Sequence, residues 1–243
     1  MPLYLHSTMG IQTLPAVHQT LCPDVAECIE HFEQLTRDGS AVIHFSLSSS
    51  MSSTYNNACV AAQEFEEVYV VDTKNLSTGG GLLVIAAAQM VREGMEAKEI
   101  SQKAAELADF VDASFVVDNL EYLAKGGRCS AVADFGANLL QLKPCIYVKN
   151  GAMSVGKKYR GKYGKTLLSY VADRLANGDD ICLDRVFVTH AGCDPEIVES
   201  VAQAVKNTLP FKEVLVTRAG CTISSHCGSN TLGVLFVRKT PLH

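Results

Sequence analysis

The sequence predicts an α/β protein of two domains, each a sheet flanked by helices. Short β-branched runs alternate with longer stretches of helical spacing along the 243 residues, and such alternation implies a largely parallel sheet covered by helices. The alternation occurs twice, before about residue 137 and again from about 164 to 217. A hydrophobic content of 47% is enough to bury one large core or two modest ones.

The buried-strand candidates are Ala41–Phe45, Glu67–Val71, Ser114–Val117, Arg185–Thr189 and Glu213–Val216. Helical spacing predicts helices over about Val25–Arg37, Leu82–Arg92, Lys98–Phe110 and Pro195–Leu209. In the third, Ile100, Ala104, Leu107 and Val111 fall on one stripe, and Pro195 suits the first turn of the fourth. Lys149-Asn150-Gly151 follows an apolar run and carries a hairpin turn signal. The domain boundary is expected within 137–152, dividing the chain into 1–138 and 139–243.

A net charge of −5 with scattered basic residues argues against nucleic acid as a partner. No run of 18 apolar residues is present, so no integral membrane segment is expected. The first residues lack the basic-then-apolar pattern of a secretory signal, and a cytoplasmic location is expected. Nine cysteines without a C-x-x-C pair read as small buried hydrophobes in a reducing compartment. His190 with Cys193, or Cys221 with His226 and Cys227, compose a zinc set only on paper, and no metal is expected.

Three polar segments carry the chemistry. Leu47–Tyr55 holds five serines directly after a strand, where open α/β sheets bind ligands. Its hydroxyls suit either a carboxylate or phosphate oxygen, or a plain helix cap and loop. Asp72–Gly81 also follows a strand, and its three glycines permit close approach of a ligand or a helix, although no phosphate-loop motif is present. Thr222–Gly233 sets His226 among hydroxyls and glycines in a late loop, as a general base or as a donor to an acidic ligand. His190, ending a strand, is a lesser candidate. The basic run Lys157, Lys158, Arg160, Lys162 and Lys165 is either a steering surface for an acidic partner or a solvated turn.

These segments, joined by Phe115-Val116-Val117-Asp118-Asn119-Leu120-Glu121-Tyr122-Leu123-Ala124-Lys125-Gly126-Gly127-Arg128, resemble the DegV family of bacterial fatty-acid-binding proteins. Leu139–Pro144 is similar to that family's junction into its second domain, and Lys158-Tyr159-Arg160 stands where members carry lysine-x-arginine. Ser48–Tyr55 is similar to its serine–threonine–tyrosine loop. The resemblance covers roughly residue 13 onward. It implies a mostly parallel sheet in the first domain and a mixed one in the second, with a ligand tunnel between them. It also implies a lipid carrier rather than an enzyme, with no cofactor. A long-chain fatty acid such as palmitate or oleate would be the ligand, presented to a fatty acid kinase that forms the acyl phosphate.

By the same resemblance Ser52, Ser49 and His226 hold the carboxylate, and no residue is catalytic. Arg128 and Arg160 belong to the head-group surroundings or to kinase docking. The family's carboxylate-binding threonine falls near Leu14–Pro23, where His18, Gln19 or Thr20 stands instead. The chain opens later than family members do, so the first domain is expected to be shortened. Two other readings stay open: a serine hydrolase or acyltransferase using Ser52 and His226, and a paralogue that has lost its ligand.

Overall fold

The computed structural model describes residues 10–11, 20–127 and 142–242. They form two compact units, one of residues 10–11, 20–109 and 150–152, the other of 110–127, 142–149 and 153–242. The boundary expected at 138/139 lies outside the described residues.

In the first unit, β1 (Gly10–Ile11) and β2 (Thr20–Leu21) form a short antiparallel pair. The helix α1 (Val25–Thr36) starts at a capping box, in which Asp24 accepts from the amide of Glu27 and Glu27 accepts from that of Asp24, each at 2.9 Å. Next come β3 (Val42–Ser46), α2 (Thr54–Ala62), β4 (Val68–Asp72), α3 (Thr78–Arg92) and α4 (Ala97–Leu107).

Strands β3 and β4 pair in parallel, in register from Val42 opposite Val68 to Ser46 opposite Asp72. Side chains alternate across the pair. Val42 and Val68 pack with Cys28, Phe32, Ala58 and Ala61 of α1 and α2. Ile43 and Val71 pack on the opposite side with Ala87, Ala97, Ile100 and Ala104 of α3 and α4. The parallel pair is therefore sandwiched between two helical layers, which accounts for its nearly unbroken apolar sequence. Helix α4 stops at Leu107 and a 3₁₀ turn covers 108–110; Val111, expected on its stripe, opens the next strand.

The second unit contains β5 (Val111–Val117), α5 (Glu121–Gly126), β6 (Leu142–Lys149), β7 (Ala152–Arg160), α6 (Tyr163–Leu175), β8 (Ile181–Ala191), α7 (Pro195–Thr208), β9 (Glu213–Arg218), α8 (Cys221–Cys227) and β10 (Thr231–Arg238). Its six-stranded sheet runs β7-β6-β5-β10-β8-β9. The pairings β5–β6, β5–β10 and β10–β8 are antiparallel and β8–β9 is parallel, so the sheet is mixed.

Asn150 and Gly151 turn the β6–β7 hairpin with φ of 51° and 77°, the two left-handed residues that a tight type I′ connection needs. Val116, Val186, Val188, Leu232, Val234 and Phe236 form the sheet side of the core, against Leu167, Tyr170 and Val171 of α6 and Val198, Val201 and Val205 of α7. Pro195 occupies the first turn of α7, whose cap Asp194 accepts from Glu196 N at 2.8 Å.

Two polar devices are buried in this unit. The Tyr170 hydroxyl donates to Ser114 O at 2.8 Å and accepts from Val234 N at 2.9 Å, joining α6 to β5 and β10. The Asp112 carboxylate, 3% exposed, accepts from Arg174 and from Arg238 Nε, and Arg238 also reaches Asp180 at 3.0 Å.

Two expectations are corrected here. The segment around His226, read as a loop, is the helix α8: Gly220 caps its start, Gly228 ends it at φ 80°, and Ser224 N and Gly228 N donate to the carbonyls four residues back. The basic run is not a turn: Lys157, Lys158 and Arg160 lie on β7, Lys162 caps α6, and Lys165 is within it.

Candidate functional site

The carboxyl ends of β3 and β4 lie side by side, and the serine loop and the Asp72–Gly81 segment both leave from there. The two segments are tied together. Ser48 N donates to Asn75 O at 3.0 Å, and the Thr73 hydroxyl donates to Ser46 O at 2.8 Å. The Asp72 carboxylate accepts from Ser49 N at 3.2 and 3.3 Å and from Lys74 N at 2.8 Å. Lys74 and Ser77 take positive φ of 48° and 50°, and the bond from Lys74 N to Asp72 holds the first of them.

Within the serine loop, Met51 N and Ser52 N both donate to Ser48 O, which curls residues 48–52 into one turn. Ser48 is fully buried, and its hydroxyl donates to the Gly151 carbonyl at 2.7 Å within the same unit. Ser49 is exposed and Ser52 half-buried. The Ser52 hydroxyl lies 2.8 Å from that of Thr54 and accepts from Thr54 N at 3.2 Å. Ser53, at the cap position of α2, makes no side-chain cap and instead meets the Cys22 thiol at 2.9 Å. Both readings of the loop thus have a physical counterpart. Ser52 braces the start of α2, and its hydroxyl keeps further hydrogen-bonding capacity. The Tyr55 hydroxyl, first through its bond to the Cys59 thiol and then through burial and Asp72, is pushed up to about 12.

Two of the three glycines of the second segment serve close packing by the segment itself. A Cβ on Gly79 would collide with the Asn75 side chain, and one on Gly80 would press Thr73 Cγ2 at 3.3 Å. Ser46, buried at the end of β3, has a hydroxyl with no hydrogen-bond partner among the described residues.

In the second unit, half-buried His226 is the penultimate residue of α8. Its Nδ1 lies 2.6 Å from the position a Cβ on Gly126 would take, so the imidazole rests on the last turn of α5. Arg160 ends β7 and is exposed. On the same strand the Lys157 ammonium, at 2.5 Å, and the Tyr159 hydroxyl, at 2.8 Å, donate to Asp173, whose carboxyl these bonds hold below its usual range. His190, the penultimate residue of β8, pairs with Arg218, and burial, then that guanidinium, lowers its pKa.

Ser49 and Ser52 therefore share one turn of the first unit, while His226 and Arg160 belong to the second. His18, Gln19 and Arg128 lie outside the described residues. Among the described residues, no group of three or more His, Cys, Asp or Glu side chains could hold a metal ion. The eight described cysteines are free thiols, and only Cys28, Cys145, Cys193 and Cys227 are buried. No described helix is long and apolar enough to cross a membrane. Reading the sequence did not single out Asp72 or Gly126 as site supports. Each stood inside a quoted motif, but its partner lies 23 or 100 positions away.

Residues 9–239 match the family profile described as uncharacterised protein, DegV family. The chain belongs to the DegV family. A DegV domain-containing protein of Clostridium perfringens is 33% identical over 224 residues, 87% of this chain and 75% of that protein. A protein of Thermotoga maritima named fatty acid-binding protein is 30% identical over 229 residues, 92% of this chain and 78% of that one. Among solved structures, one described as fatty acid binding of a DegV family protein from Thermus thermophilus superposes with a TM-score of 0.80. It is 28% identical, over 90% of this DegV chain and 78% of its own.

Proposed function

We propose that this DegV protein binds a long-chain fatty acid and presents its carboxylate to a partner kinase that forms the acyl phosphate. The protein acts as the carrier subunit and supplies no catalytic residue of its own. The observation that carries the reading is the fatty-acid binding named for the Thermotoga maritima and Thermus thermophilus relatives. In this chain, Ser52 and Ser49 in their shared turn and His226 on α8 are the groups assigned to the carboxylate, with Arg160 as the docking residue.

The chemistry supports the assignment. Burying an acyl chain releases about 0.8 kcal/mol per methylene, so the tail drives binding. A carboxylate taken out of water must be hydrogen-bonded or protonated, and hydroxyls with an imidazole meet that need. The hydrolase alternative requires a base on Ser52, whereas among the described residues of its unit that hydroxyl meets Thr54.

Native mass spectrometry of the full chain after addition of palmitate or oleate tests the reading. An adduct of fatty-acid mass is expected, and a spectrum that stays free of adduct overturns it. Arg160→Ala should retain the adduct but slow acyl-phosphate formation by a fatty acid kinase. Loss of the adduct in that variant removes Arg160 from the docking role.

A further inference from the structure

Helices α5 and α8 meet through two reciprocal contacts, each a ring placed where the other segment has a glycine. His226 of α8 sits on Gly126 of α5, with Nδ1 at 2.6 Å and Cε1 at 3.5 Å from the site a Cβ would fill. Tyr122 of α5 sits on Gly228, which ends α8; a Cβ there would stand 2.9 Å from the ring's Cγ and Cε2. Real Cβ atoms do not come so near, so a side chain at either glycine would push its partner ring away.

The two glycines have different backbone needs. Gly228 has φ 80°, which glycine adopts without strain, so both its conformation and its contact ask for glycine. Gly126 lies within α5, and its φ is not among the positive ones; only the space occupied by His226 excludes a side chain. Gly127, next along, takes the left-handed φ of 63° that closes the helix. Of the two glycines before Arg128, the second serves the helix end and the first serves the histidine.

We propose that Gly126 and Tyr122 are positioning residues that set the place of the His226 imidazole, and so the selectivity of the site for a ligand carboxylate. The inference rests on His226 being a carboxylate ligand. The bare Cα of Gly126 lets the ring lie down on α5, and Tyr122, seated on Gly228, fixes the end of α8 that carries it. An imidazole that rests on Gly126, at a helix end held by Tyr122, reaches a carboxylate oxygen without first being ordered, which is how preorganisation raises affinity.

Gly126→Ala in the full chain is the discriminating variant, because alanine suits a helix and leaves the backbone unstrained. Two readouts are needed. In long-range 1H–15N spectra, the His226 ring signals, assigned by their loss in His226→Ala, should move in Gly126→Ala and in Tyr122→Ala without added ligand. Palmitate affinity should fall about tenfold in Gly126→Ala, the size of a lost charged hydrogen bond. In the His226→Ala background, adding Gly126→Ala should change nothing further.

An equal loss in both backgrounds, or ring signals that stay in place, overturns the proposal. If His226→Ala alone binds palmitate as tightly as the parent, His226 is not a carboxylate ligand and the selectivity part falls. If the parent takes up no fatty acid, the carrier function fails, while the ring signals still decide whether Gly126 and Tyr122 position the imidazole.

Discussion

The carboxylate of Asp72 accepts the backbone amide of Ser49 at 3.2 Å, across 23 residues of sequence. The same carboxylate takes Lys74 N at 2.8 Å, so one side chain at the end of β4 anchors both polar segments. Removing it frees two backbone amides and the strained φ at Lys74. Asp72→Ala is expected to lower stability by about 1–3 kcal/mol, the usual cost of unmaking such bonds. Asp72→Asn, which keeps an acceptor oxygen, should recover about half of that. Urea denaturation of the three proteins checks the order, and equal midpoints contradict it.

Ser52 combines two tasks, one at the start of α2 and one toward the ligand. Through Thr54 N its hydroxyl contributes a cap-like bond, so Ser52→Ala should cost about 0.5–2 kcal/mol without ligand. Affinity for palmitate should fall by a further ~1–3 kcal/mol. Thermal melts with and without palmitate separate the two. If the ligand-induced rise in Tm is the same in parent and variant, Ser52 does not hold the carboxylate.

Asp112 balances two arginines inside the second unit. Asp112→Ala leaves Arg174 and Arg238 buried without that carboxylate and should destabilise the unit by about 3–5 kcal/mol. An Asp112→Ala protein whose urea midpoint matches the parent's would show that the arginines reach solvent at little cost.

Acid should weaken the fold through His190. Its folded pKa is depressed, chiefly by burial and then by Arg218. The folded state therefore binds the proton less readily than the unfolded chain, and the stability due to this imidazole is present above about pH 6.5. It is lost as pH falls through the lower folded value. An NMR titration of His190, assigned with His190→Gln, should give a midpoint below about 6.5, and one at or above that value contradicts the assignment.

The parallel pair and its helices were legible because both strands are covered on both faces, which writes an apolar run into each. The Asn150-Gly151 turn was legible because only a few residues tolerate two left-handed positions in succession. Strand β7 was missed although that turn calls for a returning strand. It is an edge strand, and its exposed Lys157, Lys158 and Arg160 read as polar surface. Strand β10 was missed because Gly233 interrupts it and Gly228-Ser229-Asn230 precedes it. Gly233 is needed there, since a Cβ would press the Ser114 carbonyl at 2.7 Å. Helix α8 escaped because its serines, threonine and cysteines favour no helix locally, so that packing against α5 decides its form. The serine loop was visible as chemistry, but its supports were not. Asp72 reaches Ser49 and Gly126 receives His226 only through the tertiary fold.

The place of β10 in the sheet bears on how the chain is made. Residues 231–238 form the strand between β5 and β8, and they follow every other strand of that sheet in the chain. On the ribosome, 120 residues of the second unit's span must therefore be synthesised from Val111 onward, up to residue 230, before the strand that joins the two halves of the sheet begins to appear. Until then β5–β6–β7 and β8–β9 have no common partner, and the edges of β5 and β8 stay open to wrong pairing. A nascent chain cut short before residue 231 would lack β10 and leave those two edges without their partner, a target for chaperones and proteases.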